Sequence, residues 1–332
     1  MKISEPPSRQ ERQVSTSIPV IDFHQFIVGD VAAKEAVANQ IASAIQEIGC
    51  FYLNNSVPQT LVERVFAQAQ SFFALPQEEK NQVKLAPGTS RGYVARGKER
   101  VLLEAFNFGL DIAPDEAGAT HQKFGEPNRW LEDQIEFRQV LLEFFTTCRD
   151  TSLSILQAMA IALKLPESYF TDFHIERNFN TSINHYPPVS QPLSPAETRF
   201  AEHTDYGSIT LIFQDETAGL EVCTNAREWI AAPYLPGKVL VILADLMQRW
   251  TNDKFPATKH RVPLPSKFPT NPRYSIIYFE SPDYDAEITC LDNCLEENAT
   301  PNYPPIRTHE YINQVATGGY TSEKNRHLPQ KM

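Results

Sequence analysis

The stretch HTDYGSITLIFQD, residues 203–215, is the part of the chain on which the fold turns. Its second half, SITLIFQD, is a short apolar run rich in β-branched and aromatic residues, with Gly207 before it and Asp215 at its end, and it predicts a strand. The same texture recurs on both sides of it after Asn178. TSINHY, GLEV, REWIAA, KVLVIL and RYSIIYF are strand-like runs separated by Pro, Gly, Asn and Asp. Strands of this length and spacing predict an antiparallel barrel or jelly roll, which closes its edges and leaves a mouth lined by inward-facing side chains.

The first half of the stretch carries chemistry. His203 and Asp205 stand at positions i and i+2 at the start of the run, so in extended chain they project to the same face. His260, in ATKHRVP, follows after enough chain for several strands to return to the same mouth. Two imidazole nitrogens and one carboxylate oxygen on one face of an octahedron are a ligand set for non-haem iron(II), and they leave the opposite positions open. An HxD pair alone is weak evidence, because such pairs arise by chance and a lone His is more often a core or surface residue. Beyond His260, Arg273 and Ser275 in NPRYSIIYF alternate onto one strand face. They make a carboxylate receiver: the planar Arg fork binds both oxygens, and the hydroxyl adds a hydrogen bond without a competing charge. Alone they would read as surface residues; in this order after His260 they do not.

Upstream, IPVIDF (18–23) predicts an opening strand and residues 31–48 a helix, with Val37, Ile41, Ile45 and Ile48 at helical spacing and Gly49 as its stop. Residues 51–53 predict a second strand. A helix over 59–75 follows from the stripe Leu61, Val65, Phe66, Ala69, Phe72 and Phe73, ended by Pro76. From Lys84 to Arg129 periodicity is lost, so this part is expected to be dominated by loops. Tyr93, Phe106, Asn107 and Phe108 there either line a substrate pocket or plug the core. A long helix is expected over 133–164, with Phe137, Leu141, Phe144, Phe145, Cys148, Ile155, Met159 and Leu163 inward, backing a sheet. The implied division is a flexible leader at 1–16, an N-terminal region at 17–130, the long helix at 131–175, a jelly-roll core at 176–285 and a C-terminal extension at 286–332.

The bulk properties narrow the function classes. With 332 residues, 42% hydrophobic and 21% charged, the chain can build one large β-rich core wrapped by helices. A net charge of −11 opposes broad contact with phosphate backbones, so nucleic acid is not an expected partner. The N-terminal MKISEPPSRQERQVSTS lacks the apolar stretch of a secretion signal, and no run of about 18 apolar residues occurs. A cytosolic protein without a membrane segment is expected. Five cysteines, with CLDNC (290–294) as the one close pair, suggest reduced thiols rather than a disulfide framework or zinc site. Oligomeric state is not legible.

In order along the chain, HTDYGSITLIFQD, GLEV, a strand ending in DLMQRWTND, KHRV and RYSIIYF resemble the catalytic core of the isopenicillin N synthase-like family of iron(II)- and 2-oxoglutarate-dependent dioxygenases. IPVIDF and NHYPP resemble that family too, so the likeness runs from about residue 17 to 282. Within it, EHTDYGSITLIFQD, RWTND and PRYSIIYF are most similar to thymine 7-hydroxylase-like microbial hydroxylases of small metabolites.

The resemblance implies an α+β fold, a double-stranded β-helix or jelly roll flanked by helices. It implies His203, Asp205 and His260 as iron ligands, with Arg273 and Ser275 receiving the distal carboxylate of 2-oxoglutarate, helped by Tyr186 and by Asn184 nearer the metal. The cofactor set is Fe(II), 2-oxoglutarate and O2, and the expected reaction is hydroxylation of a small-molecule C–H bond with release of succinate and CO2. Desaturation, ring expansion or cyclisation by the same chemistry is an alternative, and so is an iron oxidase that does without 2-oxoglutarate. A non-catalytic jelly-roll module would lack a ligand or the anchor. The segment 84–130 is implied to fold over the mouth, which makes Tyr93, Phe106 and Asn107 substrate candidates together with Phe279. Two departures stand out: Ile242, Leu243, Ala244 and Asp245 replace the common Asn-Ile-Gly-Asp, and Glu280-Ser281-Pro282 follows where Asn-Pro is frequent. The substrate therefore cannot be borrowed from a relative.

Overall fold

The structure is a computed structural model that describes residues 17–96, 103–112, 126–175, 180–188, 199–264 and 271–316. The leader expected at 1–16, the end of the C-terminal extension and parts of the 84–130 segment lie outside the described residues.

The chain opens with β1 (Val20–Asp22), α1 (His24–Val28) and α2 (Val31–Glu47). Asp30 caps α2 by accepting from the Ala33 amide at 2.9 Å, and Gly49, at φ +100°, turns the chain out of the helix as its position predicts. There follow β2 (Cys50–Asn54), α3 (Gln59–Phe73), α4 (Gln77–Gln82), β3 (Gly92–Arg96), β4 (Leu103–Phe108) and α5 (Ile135–Ala162). The second half adds β5 (Asn180–Tyr186), β6 (Phe200–His203), β7 (Ile209–Gln214), β8 (Leu220–Cys223), β9 (Trp229–Ala232) and β10 (Lys238–Leu243). It closes with α6 (Asp245–Trp250), β11 (His260–Val262), β12 (Arg273–Glu280), β13 (Glu287–Ile288), β14 (Ile306–Arg307) and α7 (Thr308–Ala316).

An eight-stranded sheet in the order β1-β2-β10-β7-β12-β5-β4-β3 faces a four-stranded sheet β6-β11-β8-β9, forming the jelly roll. All pairings are antiparallel except β1 with β2. The central strands are buried on both faces, and side-chain alternation divides them between two cores. From β7, β10 and β12, Leu211, Phe213, Val241, Ile276 and Tyr278 pack against the helical layer. Ile212, Leu240 and Ile242 point the other way, toward Leu220, Val222 and Val262 of the small sheet. Helix α5 backs the large sheet through a stripe including Phe137, Leu141, Phe144 and Ile155.

Two expectations are corrected here. DLMQRW is not the end of a strand: β10 stops at Leu243 and the segment forms α6. Residues 84–129 are not simply loop, because β3 and β4 extend the large sheet, with β4 paired to β5. Five of the six β4 side chains are buried, so the polar–apolar alternation that marks a half-exposed strand is missing. Knowing the strand also fixes which way its residues face. Asn107 faces the barrel, whereas Phe106 and its cross-strand partner Tyr93 face the helices. Phe106 packs 4.9 Å from Phe72 and 5.2 Å from Phe137 between ring centroids, and Tyr93 lies 6.1 Å from Phe72. Neither reaches the cavity described below.

Glu104, on the same helical face, gathers Lys80 (2.9 Å), the His185 ring (2.9 Å) and the Tyr93 hydroxyl (2.5 Å). Burial alone would raise its pKa, but hydrogen bonds from His185, Tyr93 and Lys80 outweigh it and hold the carboxyl at about 2.

Because Phe106 is a core residue, Phe106→Ala should cost about 3–5 kcal/mol of stability in denaturant titrations while the folded fraction keeps its 2-oxoglutarate affinity. Near-wild-type stability with altered substrate coupling would return Phe106 to the pocket wall.

Candidate active site

His203 ends β6, and His260, opposite it in register, begins β11, so their ring centroids lie 4.1 Å apart. Asp205 is not in the strand, contrary to the sequence reading. It sits in the turn between β6 and β7, where the backbone is pinned at several points. The Asp205 carbonyl accepts from the Asp245 amide at 2.8 Å, that of Gly207 from Leu246 at 3.0 Å, and that of Ser208 from Ala244 at 3.1 Å. The Ser208 amide donates to the Glu280 carbonyl at 2.8 Å, and a Cβ on Gly207 would stand only 2.3 Å from that same oxygen. Only glycine allows the turn to lie this close to β12.

The side chains then converge. Thr210 donates to Asp205 Oδ2 at 2.6 Å, leaving Oδ1 at 3.6 Å from His203 Nε2 and 3.8 Å from His260 Nε2. Each imidazole donates from Nδ1 to a backbone carbonyl, His203 to Ala201 at 2.9 Å and His260 to Thr258 at 3.1 Å. A carbonyl can only accept, so both Nε2 lone pairs are free to bind a cation. Burial, and then the neighbouring His260, push the His203 pKa down to about 4, which keeps that ring neutral. The ligand atoms of the three residues all lie within 4.8 Å of one another, and among the described residues they form the one His/Cys/Asp/Glu group able to hold a metal. This donor set and its free lone pairs fit a divalent iron.

Along the β12–β5 ladder, Arg273 pairs with Tyr186 and Ser275 with Asn184. The Arg273 guanidinium, 1% exposed, donates to Gln214 Oε1 at 3.1 Å, to Ser275 Oγ at 3.4 Å and to the Ala218 carbonyl, and it lies 4.8 Å from the Tyr186 ring. The Gln214 amide is itself oriented by donating to the Ala232 carbonyl at 2.9 Å. No carboxylate among the described residues comes within ion-pair distance of Arg273. Such a buried cation calls for an anionic ligand. Arg199, 3% exposed and 5.8 Å from the Tyr186 ring, is a second buried guanidinium there, its pKa lowered by burial and then by Arg273.

His203, Asp205, His260, Tyr186, Asn184, Arg273 and Ser275 line one cavity of about 250 Å³, with Arg273 and Ser275 toward one end and Asn107, Asn180, Ser182 and Phe279 toward the other. Another cavity of about 240 Å³, beside α3, is lined by Glu63, Asp215, Glu216 and Lys238 but holds none of the metal-binding group.

Residues 18–133 match the N-terminal region of the family described as non-haem dioxygenase in morphine synthesis, and residues 178–282 match the 2OG-Fe(II) oxygenase superfamily. The proline hydroxylase buaE of Petromyces alliaceus is 30% identical over 307 residues, covering 89% of this chain and 96% of that protein. The chain belongs to the iron(II)- and 2-oxoglutarate-dependent dioxygenases. Its fold and enzyme class follow, as do Fe(II), 2-oxoglutarate and O2 as cofactor and co-substrates. Full-length thymine 7-hydroxylase of Neurospora crassa, solved with alpha-ketoglutarate, superposes with a TM-score of 0.82 at 31% identity, over 91% of this chain and 96% of that one. An oxidoreductase of the same type, hxnY of Emericella nidulans, is 32% identical over 90% of this chain and 88% of that protein.

Of the residues singled out from the dioxygenase sequence, the structure gathers His203, Asp205, His260, Arg273, Ser275, Tyr186, Asn184, Asn107 and Phe279 around one cavity. Tyr93 and Phe106 lie apart from it. Sequence reading missed Asn180 and Ser182, although the period-two pattern of TSINHY that turns Asn184 and Tyr186 inward places them on the same face. It also missed Tyr311 of α7, whose hydroxyl donates to Asp245 at 2.7 Å and so ties the C-terminal extension to the metal-binding turn. Burial raises the Asp245 pKa to about 6.

Beneath the turn, the fully buried Glu280 accepts from Ser152 and, at 3.0 Å, from Tyr278, and burial raises its pKa from 4.5 to about 8. The unfolded chain ionises this acid near pH 4.5 and the folded chain near 8, so its contribution to stability is full below 4.5 and is lost as pH rises to about 8. Glu280→Gln, neutral throughout, should flatten that decline, and its melting temperature should gain on the parent's between pH 5 and 8. Parallel profiles for the two proteins would show that Glu280 does not titrate in this window.

Proposed function

We propose that this dioxygenase hydroxylates a C–H bond of a small molecule, with His203, Asp205 and His260 as the iron ligands and Arg273 as the receiver of the distal carboxylate of 2-oxoglutarate. The observation that supports this most is the buried Arg273, held by Gln214 and Ser275 with no carboxylate partner among the described residues, in the same cavity as the triad. When bound, iron and 2-oxoglutarate together supply the oxidation of the C–H bond, with O2 as oxidant and succinate and CO2 as co-products.

The protein's own residues do the positioning. Thr210 holds the Asp205 carboxylate and the Asp245 amide holds the Asp205 backbone carbonyl, while the Ala201 and Thr258 carbonyls set both histidine tautomers. Gln214, Ser275 and Tyr186 hold the Arg273 fork so that a carboxylate meets it bidentately. Ser182 donates to Asn184 Oδ1 at 3.0 Å, which fixes the orientation of that amide in the cavity wall. Burial of the surrounding strands keeps bulk water from the reacting bond.

A cavity of about 250 Å³ that the co-substrate must share favours a small substrate. Among the relatives, the Neurospora enzyme has been seen with thymine and another is a proline hydroxylase, which supports hydroxylation of small metabolites here. No helix among the described residues is long and apolar enough to cross a membrane. An oxidase independent of 2-oxoglutarate would leave Arg273 with no anion to meet, so this reading is set aside.

His203→Ala and Asp205→Ala should each abolish iron retention and succinate release, read by metal analysis beside an assay of 2-oxoglutarate consumption. Full activity with metal retained in both variants would refute the ligand assignment. For Arg273→Ala, loss of one partner of a desolvated ion pair costs about 2–5 kcal/mol, so the 2-oxoglutarate requirement should rise by about thirty- to several-thousandfold. An unchanged requirement would point to the oxidase.

A further inference from the structure

The cavity changes chemical character along its length. On β5, Tyr186, Asn184, Ser182 and Asn180 face inward, and their partners on β12 are Arg273, Ser275, Ile277 and Phe279. At about 3.4 Å per residue, the Asn180–Phe279 pair lies roughly 20 Å along the strands from the Arg273–Tyr186 pair. Charge is concentrated at the Arg273 end. The far end offers amides and rings.

Asn107, opposite Ser182 on β4, is 8% exposed, lines the cavity, and its side-chain amide makes no hydrogen bond among the described residues. An amide has both a donor and an acceptor to satisfy, and a ligand that displaces water from this cavity would have to supply both. Asn180 is oriented from behind: its Oδ1 accepts from Arg91 Nη1, which leaves its two N–H donors for the cavity. Arg91 is itself 1% exposed and donates to the Phe108 carbonyl at 3.1 Å. It packs over Gly109, where a Cβ would lie 2.3 Å from Nη2, so a side chain there would displace the guanidinium.

Beyond the metal triad and Arg273, the one charged residue lining the cavity among the described residues is Arg261. It is spent on Glu221 at 2.8 Å and on the Trp229 ring at 4.0 Å. Arg91 stands behind the wall, with Glu126 as its counter-charge. Away from the triad, which lies level with Phe279 through Thr210 and Asp205, a carboxylate or ammonium beside Asn107 and Asn180 would lose its water and meet no opposite charge among the described lining residues. A neutral group with adjacent donor and acceptor would complete Asn107 and Asn180 at once.

We infer that this end of the cavity recognises an uncharged amide group of the substrate, a carboxamide or lactam, through Asn107 and Asn180, with Arg91 as the residue that positions Asn180. Phe279 and Tyr206 supply apolar surface for the carbon skeleton carrying that group. The inference rests on the dioxygenase reading of the same cavity and adds the class of group it selects.

The test uses the full chain loaded with Fe(II) and saturating 2-oxoglutarate without oxygen, and reads binding by ligand-observed NMR. The probes are benzamide and 2-piperidone, with benzoate and benzylamine as charged counterparts of benzamide. Benzamide and 2-piperidone should bind at least about tenfold more tightly than the charged pair, and Asn107→Leu and Asn180→Leu should each erase about tenfold of that preference while 2-oxoglutarate affinity stays unchanged. Benzoate binding as well as benzamide, an amide preference that survives both substitutions, or no binding by either amide overturns the inference. Failure of the parent protein to bind 2-oxoglutarate, measured first, overturns the reading beneath it instead.

Discussion

Strand β7 supports both charged ends of the active-site cavity, and the rest of the site depends on its register. Its inward face presents Thr210, Ile212 and Gln214. Thr210 holds one oxygen of Asp205 at 2.6 Å, so the other is left between the two histidines, and Gln214 holds the Arg273 fork at 3.1 Å. Four residues of extended chain, about 14 Å, thus set the span between the metal-binding end and the carboxylate-binding end. A slip of one residue would turn Leu211 and Phe213 into the cavity and take both hydroxyl and amide away from their partners. Pairing with β10 on one side and β12 on the other prevents that slip.

The same alternation explains how much could be read from the sequence. SITLIFQD and RYSIIYF are strands whose two faces serve different cores, and the motif residues fall at positions of one parity. His203, His260, Arg273 and Ser275 could therefore be placed together without coordinates. Asp205 was harder, because its alignment with His203 comes from a pinned turn rather than from extended chain. The turn depends on tertiary contacts with α6 and β12, and the local sequence records those only as Gly207. In β4 the pattern failed altogether. Leu103, Ala105 and Asn107 face the barrel, Phe106 and Phe108 face the helices, and with both sides buried no polar period marks either face. Tyr93 and Phe106 were consequently assigned to a pocket they do not reach, while the smaller Ser182 and Asn180 went unnoticed.

The buried polar groups fall into two kinds that differ in how their cost is met. Glu104 is satisfied within the protein by Lys80, His185 and Tyr93, and Glu280 escapes the cost of a buried charge by staying protonated over most of the physiological range. Both lie on the helical side of the sheet, apart from the active-site cavity. On the cavity side, Arg273 has neutral partners only and Asn107 has no partner at all among the described residues. The sheet thus separates polar groups that fold the protein from polar groups left for ligands.

This separation bears on order of binding. On the proposed assignment, a dicarboxylate entering first would meet Arg273 and so relieve the cost of a buried cation that has only neutral partners among the described residues. Once it is seated, Arg273 would no longer be an unmatched cation able to attract a second anion, and the amides and rings near Phe279 would remain for a substrate. A neutral substrate then gains from Asn107 and Asn180 what a charged one would lose in hydration. On the proposed assignments, the neutral Asn107 and Asn180 amides near Phe279 and the Arg273 cation near Tyr186 would favour different groups, which discriminates substrate from co-substrate along one pair of strands.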